Sequence, residues 1–371
     1  MLLDILICFT LLYSLQILLY TVAAWRSRYG FNRSYRPSVS IIIAARNEEE
    51  NIARCLDSMA RLTYPPELLE IIVVDDRSQD GTRSIVNRYD TICPRISVVT
   101  TMPEEGNLRG KTNAVTHGIE ASTGEIIMFT DADCTVPQGW VEETVKYFVH
   151  DKVGVVAGFT SLNARNWFGA MQAIDWFALF SVAAAMIRMH FPVTAVGNNL
   201  SVRRAAYNAV GGYRAIPFSV TEDYALFHAI TTQTHFSARL PLDPTIVVQS
   251  QPCETLRDLY RQKKRWFTGG RDMEFRHLLI FSLSYVTNLL ILLGILLTGS
   301  GVAWGALGIK SVVDLLMLIP SVRTFRRWPL LLYFPIFEIY YFFYVLYFPP
   351  LVFMRGTVVW KERSFRDAST K

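Results

Sequence analysis

The sequence has no Cys-x-x-Cys pair, and its five cysteines, Cys8, Cys55, Cys93, Cys134 and Cys253, are odd in number and widely scattered. That spacing excludes a disulfide framework and a thiolate zinc site and argues for a reducing compartment. None of the six histidines stands at metal-ligand spacing from another, which leaves them structural roles. No dense block of Lys and Arg occurs in the globular stretch and the net charge is only +5, so nucleic acid is not an expected partner. The first 25 residues carry no Lys or Arg at all. A cleaved signal peptide would place positive charge ahead of its apolar core, so an uncleaved anchor is expected instead.

What the chain has in excess is apolar surface: 51% of its 371 residues are hydrophobic and 13% aromatic. Residues 1–25 are apolar for long enough to cross a bilayer, which takes roughly 20 residues. Arg26, Arg28, Arg33 and Arg36 follow at once, so the positive-inside rule places the first residues outside and the next domain in the cytoplasm. Apolar segments return at 277–299, 302–320 and about 329–354, the first two joined by a Gly/Ser turn and the last two by the basic loop Arg323 to Arg327. Pro335 and the pair Pro349-Pro350 predict a kinked or partly inserted third segment. The tail 355–371 is basic, and its side of the membrane is left open. Lys310, near mid-span, is expected to pair with Asp314 or Glu338, because a lone charge at that depth costs about 2.5–3.5 kcal/mol.

Between these segments, short apolar runs alternate with polar helical stretches: Val39 to Ala45, Ile71 to Val74, Ile96 to Val99 and Ile126 to Thr130. The alternation predicts a βαβ sheet. In Gly-Glu-Ile-Ile-Met-Phe-Thr-Asp-Ala-Asp (124–133), an unbroken apolar run ends in two carboxylates. Such a run fits a strand buried on both faces, and ligands of open α/β sheets sit at strand carboxyl ends. Asp131 and Asp133 are hard oxygen donors placed there, suited to Mg²⁺ or Mn²⁺ carrying a diphosphate. A strand-to-turn junction would account for one such pair. A second pair, Asp75-Asp76, closes the Ile71 strand, and two strand ends with paired acids are poorly explained by turn-making.

After the first strand, Asn47 is placed to cap a helix with Glu50 three residues on, while Glu48 is either a helix-dipole partner or a ligand contact. Gly110-Lys111-Thr112 opens a helix that either holds a phosphate or is simply solvated. It lacks the upstream glycine of a Walker A loop, which excludes that class of ATPase. Trp167 to Met189 is apolar, but Gln172 and Asp175 interrupt it. A span there would put the two halves of the acidic constellation on opposite sides of a membrane, so a buried or interfacial helix is expected.

From about Ser38 to Arg271 the chain resembles the inverting family 2 glycosyltransferases of GT-A fold. The resemblance is to the membrane-bound branch that includes ceramide and carotenoid glycosyltransferases and, more distantly, hyaluronan and cellulose synthases. It rests on Val-Val-Asp-Asp-Arg-Ser-Gln-Asp-Gly-Thr (73–82), Asp131-Ala132-Asp133, Thr221-Glu222-Asp223 and Gln262-Lys263-Lys264-Arg265-Trp266, in that order. The resemblance implies that Asp75 and Asp76, with Glu48 nearby, contact the nucleotide base and that Asp131 and Asp133 bind the metal and diphosphate. Asp223 would be the catalytic base, with Glu222 beside it. Gln262, Arg265 and Trp266 would close over the diphosphate and acceptor; apart from the resemblance, the helix start at Lys111 makes that lysine a candidate substrate contact. Stretches like Val196–Ser201 and Val210-Gly211-Gly212-Tyr213 also occur in that family.

The expectation is an α/β protein: a cytoplasm-facing GT-A (Rossmann-like) nucleotide-sugar domain at 37–275, held in the cell membrane by one helix at 1–25 and about three at 277–354. It would move a sugar, most simply from a UDP-sugar, to a lipid hydroxyl with inversion, using Mg²⁺ or Mn²⁺. The rival readings are a processive polysaccharide synthase and a non-enzymatic membrane transport protein.

Overall fold

The computed structural model describes residues 1–26, 29–269, 275–350, 357–360 and 363–366. Arg28, the far end of the resemblance at Arg271, and Lys361 and Glu362 of the tail lie outside them. The chain divides into two compact units, one made of Met1–Ser27, Ala164–Val193 and Pro252–Gly356, the other of Arg28–Asn163, Thr194–Gln251 and Thr357–Lys371. Of the stretch 37–275 expected as one domain, Ala164–Val193 and the part from Pro252 onward thus fall in the first unit.

The second unit is built on a sheet. Its strands are β1 (Val39–Ala45), β2 (Leu69–Asp75), β3 (Ile96–Thr100), β4 (Ile126–Asp131), β5 (Val153–Ala157), β6 (Thr160–Leu162), β7 (Leu200–Arg203), β8 (Ser237–Arg239) and β9 (Val248–Ser250), with a short antiparallel pair, β10 (Thr357–Trp360) and β11 (Arg363–Arg366), near the C-terminus. Seven of them form one sheet in the order β3-β2-β1-β4-β7-β5-β8. The first four are parallel, as their unbroken apolar runs predict. β7 then runs antiparallel to both β4 and β5, so the sheet is mixed and not wholly parallel. Ile41, Ile43, Val73, Ile126, Met128, Trp140 and Phe148 belong to one buried cluster, and each such side chain contributes roughly 1.5–3 kcal/mol by leaving water.

The helix after β1 differs from expectation. It spans Ile52–Ala60, with Asn51 at its N-cap and no side-chain cap. Asn47 lies outside it with φ 52°, a left-handed conformation that asparagine tolerates better than most residues, and its side chain serves a neighbouring loop.

The first unit is helical. Five stretches among the described residues are long and apolar enough to cross a membrane: Leu2–Trp25, Trp167–Arg188, His277–Thr298, Gly301–Thr324 and Trp328–Tyr347. Leu2–Trp25 leaves Leu11, Leu12, Leu15 and Leu19 exposed, whereas Trp167–Arg188 is buried over most of its length. Gly299, at φ 58°, and Ser300, whose hydroxyl accepts from the Val302 N–H at 3.1 Å, turn the chain between Phe275–Thr298 and Gly301–Thr324. The third apolar segment is not one regular helix: a 3₁₀ stretch, Trp328–Tyr333, precedes the α-helix Phe334–Tyr347, and Pro335 sits in the first turn of the latter, where its missing N–H leaves no bond unmade. Lys310 is fully buried and pairs with both expected partners, Asp314 at 2.7 Å and Glu338 at 2.6 Å. The Tyr13 hydroxyl donates to Asp314 at 2.5 Å, tying a third helix to the same charges.

Gly124, at the entry to β4, meets the first strand at close quarters. A Cβ there would stand 2.5 Å from the Ser40 nitrogen and 2.7 Å from the Val39 carbonyl carbon. Because both are backbone atoms of a central strand, Gly124→Ala is expected to destabilise the protein by about 1–3 kcal/mol. Thermal unfolding in detergent checks this, and an unchanged Tm would contradict the close approach.

Candidate active site

The site grows from the carboxyl ends of β1, β2 and β4. After β1 and β2 the chain makes two loops that lock together through backbone and short side chains. The Asn47 side chain accepts from the Gln79 N–H at 2.9 Å, and the Glu48 N–H donates to the Thr82 hydroxyl at 2.7 Å. The Glu49 carboxylate accepts from the Gly81 N–H at 2.7 Å, and Arg46 donates to the Asp76 carbonyl at 2.7 Å. Arg77 adopts φ 54° within this pair of loops. The acids of β2 are buried and engaged: Asp75 accepts from the Ser78 N–H at 3.1 Å and pairs with Arg83 at 3.3 Å, and Asp76 accepts from the Thr101 hydroxyl at 3.0 Å. Glu48 accepts from the Asn51 amide at 3.0 Å.

At the end of β4, Asp131 meets a cation. The Lys111 ammonium stands 2.7 Å from Asp131 Oδ1 and 2.9 Å from Glu222 Oε1. Burial works against its charge, but the carboxylates of Asp131, Glu222 and Asp223 outweigh burial and hold Lys111 well above its ordinary range. The Gly110 N–H at the same helix start donates to Glu104 at 2.9 Å. At this helix start the lysine bridges the end of β4 to the helix Glu222–Gln233.

Asp223 lies in the first turn of that helix. Its carboxylate accepts from the Gly197 N–H at 2.6 Å and from the Tyr224 N–H at 2.8 Å, which fixes its orientation. Asp131, Lys111, Glu222, Asp223, Gly197 and Tyr213 all line one cavity of about 10 Å³, room for about one water. Burial, followed by the Glu222 carboxylate, pushes the Tyr213 phenol well above its ordinary range and keeps it neutral.

Beneath the β4 acids are two thiols. Cys134 Sγ lies 3.3 Å from Asp133 Oδ1, and Cys55 Sγ 3.7 Å from the Asp131 carbonyl. Burial and then the Asp133 and Asp131 charges push both thiols up, so they are neutral donors and not thiolates. Among the described residues no group of three or more His, Cys, Asp or Glu is arranged to hold a metal alone. Asp131 and Asp133 remain two hard-oxygen donors at one strand end.

Of the residues expected from the sequence, the sheet unit brings Lys111, Asp131, Glu222 and Asp223 to one cavity. Asp133 follows Asp131 by two positions, and Glu48, Asp75 and Asp76 lie at the neighbouring strand ends. Gln262, Arg265 and Trp266 belong to the helical unit, all on the helix Leu256–Gly269. Gly197, Tyr213 and the thiols Cys55 and Cys134 were not singled out as site residues. The Gly-Asn-Asn and Gly-Gly-Tyr stretches were the available signals for the first two, and nothing in sequence spacing marks a cysteine that faces an aspartate.

A mixed sheet with four parallel strands, acids at their carboxyl ends and an aspartate opening a helix beyond them is the arrangement of the GT-A nucleotide-sugar transferases. Residues 40–223 match the family described as Glycosyl transferase family 2, so the chain carries a glycosyltransferase domain of that family. The chain is 27% identical over 244 residues to a beta-monoglucosyldiacylglycerol synthase of Synechocystis sp., a match covering 63% of this chain and 48% of that protein. It is 26% identical over 259 residues to a poly-beta-1,6-N-acetyl-D-glucosamine synthase of Staphylococcus aureus, covering 67% of this chain and 60% of that one. The chain therefore spans about half to three-fifths of the length of these curated relatives. Among solved structures, a mannosyltransferase, PcManGT, from Pyrobaculum calidifontis in complex with GDP-Man and Mn²⁺ superposes with a TM-score of 0.62 at 21% identity, over 92% of this chain and 99% of that one. That likeness establishes the fold. The family and fold expected from the four separated motifs are borne out.

The contact between Gly197 and Asp223 yields a sharp test. A Cβ on residue 197 would stand 2.9 Å from Asp223 Cβ and 3.0 Å from Oδ2. Gly197→Ala should displace the carboxylate and lower kcat on the order of tenfold or more, since displacement by about 1 Å costs up to roughly 10²-fold. Nucleotide affinity should stay near its original value. Steady-state kinetics beside a nucleotide titration check this; unchanged kcat would mean that Asp223 tolerates displacement.

Proposed function

We propose that the protein is a membrane glycosyltransferase that moves a sugar from a nucleotide-sugar donor, most simply a UDP-sugar, to the hydroxyl of a membrane lipid, with inversion at the anomeric carbon. The observation that carries this reading is the convergence on one cavity of Asp131, at the end of β4, and Asp223, at the start of the helix Glu222–Gln233, where Lys111 bridges Asp131 to Glu222. Asp223 is the base: its carboxylate, aimed by the Gly197 and Tyr224 N–H groups, takes the proton of the acceptor hydroxyl as that oxygen attacks.

Asp131 and Asp133 would hold Mg²⁺ or Mn²⁺. Two carboxylates suit a six-coordinate cation that completes its shell with phosphate oxygens and water. When bound, the ion supplies positive charge to the departing diphosphate. Asp75, Asp76 and Glu48 form the base-recognition side, and Gln262, Arg265 and Trp266 serve the diphosphate and acceptor.

Five apolar helices support a membrane protein with a lipid acceptor, and a relative named for diacylglycerol glucosylation points the same way. The Arg residues that follow the first helix favour a cytoplasmic sheet unit. A relative named as a polysaccharide synthase keeps chain polymerisation as the second reading. Non-enzymatic transport would leave the acids of the sheet unit without a role.

The test is to incubate the purified protein with Mg²⁺ or Mn²⁺, labelled UDP- and GDP-sugars and lipid extract from its host, then to separate organic and aqueous phases. A discrete labelled lipid is the expected result. Label confined to long water-soluble chains would establish the synthase instead, and no label in either phase would overturn sugar transfer. Two variants divide the roles of the acids. Asp223→Asn should cut turnover by roughly 10²–10⁴-fold with UDP binding retained, whereas Asp133→Asn should weaken Mn²⁺-dependent UDP binding. Equal loss of UDP affinity in both would contradict the division.

A further inference from the structure

The helix Leu256–Gly269 is polar over most of its length, yet one of its lysines is almost completely buried: Lys263 is 2% exposed. A lysine in such surroundings needs an anion. It finds Asp175, 6% exposed, which interrupts the otherwise apolar helix Trp167–Arg188, and the two form a direct ion pair. Neither charge is tolerable there without the other, so the pair fixes one helix against the other at this point.

A second pair of bonds fixes the same two stretches nearby. Gln172, one turn before Asp175, donates to the Cys253 carbonyl at 3.0 Å and accepts from the Cys253 N–H at 2.8 Å. The chain entering the polar helix is thereby held in register with the apolar one.

Trp266 lies where these constraints meet. The Lys263 ammonium stands 4.2 Å from its ring centroid, a cation–π geometry that strengthens away from water. The same ammonium stands 5.2 Å from the Tyr344 ring. On another side, Trp176, the neighbour of Asp175, packs edge-on against Trp266 at 5.7 Å. The indole is thus set by a charge from its own helix and a ring from the next, and both depend on where Asp175 sits.

We propose that Lys263, held by Asp175, is a positioning residue that sets the orientation of Trp266 and through it the recognition of the acceptor, leaving donor binding untouched. This rests on the glycosyltransferase reading given above. Buried ion pairs add little net stability but can enforce one geometry over others, which is the property an acceptor-facing indole requires.

Lys263→Met alone would strand the Asp175 carboxylate and endanger folding, so the informative protein is Lys263→Met/Asp175→Leu, which removes both charges together. With the full-length protein in detergent, its Tm should stay within a few degrees of the parent. Its KM for the acceptor should rise at least tenfold while its KM for the nucleotide sugar stays put. Lys263→Arg, which keeps both the pair and the ring contact, should retain most acceptor affinity. In protein labelled with 5-fluorotryptophan, the Trp266 resonance, assigned by its loss in Trp266→Phe, should shift or broaden in the double variant. Parent-like acceptor KM, an equal rise in both KM values, or an unmoved Trp266 resonance would overturn the proposal. Should the parent protein transfer no sugar, the glycosyltransferase reading falls, while the fluorine spectrum still decides whether the pair orients the indole.

Discussion

Three carboxylates crowd one corner of the sheet unit, and the Lys111 ammonium among them makes that crowding tolerable. Two like charges in contact, at an effective dielectric constant near 20, repel by about 4 kcal/mol. Asp131, Glu222 and Asp223 all act on Lys111, which pairs directly with the first two. The lysine owes its place to Gly110, whose φ of 52° lets the chain turn into the helix Gly110–Glu120. A strand end, a helix start and a second helix start are thereby held to one point by charge.

Around that point the backbone does most of the holding. The loops after β1 and β2 are joined by N–H groups bonded to the side chains of Asn47, Ser78, Asp80 and Thr82. Asp223 is held by two N–H groups and by the absence of a side chain on Gly197. Short polar side chains bonded to backbone lose little rotamer entropy on folding, so they position acids more rigidly than long side chains reaching across a cleft.

Much of this was legible in the sequence because apolar runs buried on both faces have few other interpretations. β1 falls at Val39–Ala45 as read, and the other three parallel strands extend by only one to three residues. The acids at their ends were found because a run of large apolar residues breaks off sharply there. The antiparallel strand β7 was harder, since its direction depends on a long connection that no local pattern reports. Asn47 was misread as a helix cap because capping and left-handed turns favour the same residue types. The partners of Lys111 and Lys263 were hidden for a different reason: Glu222 and Asp175 are distant in sequence, and a lysine on a polar helix gives no sign that it will be buried.

The helical unit is assembled from three stretches separated along the chain. The Tyr13 hydroxyl finds its carboxylate 301 residues later, at Asp314. At a synthesis rate of about 5–20 residues per second, the first helix waits on the order of tens of seconds for that partner. It is built to wait, because Thr10 and Ser14 donate their hydroxyls to carbonyls of the preceding turn, at 2.8 and 2.7 Å, and need no neighbour. On the same helix the Gln16 amide and the Thr21 hydroxyl also reach late partners, the Ile280 carbonyl at 3.3 Å and Met317 Sδ at 3.5 Å, so the polar contacts of the first helix are completed only after Gly301–Thr324 has arrived.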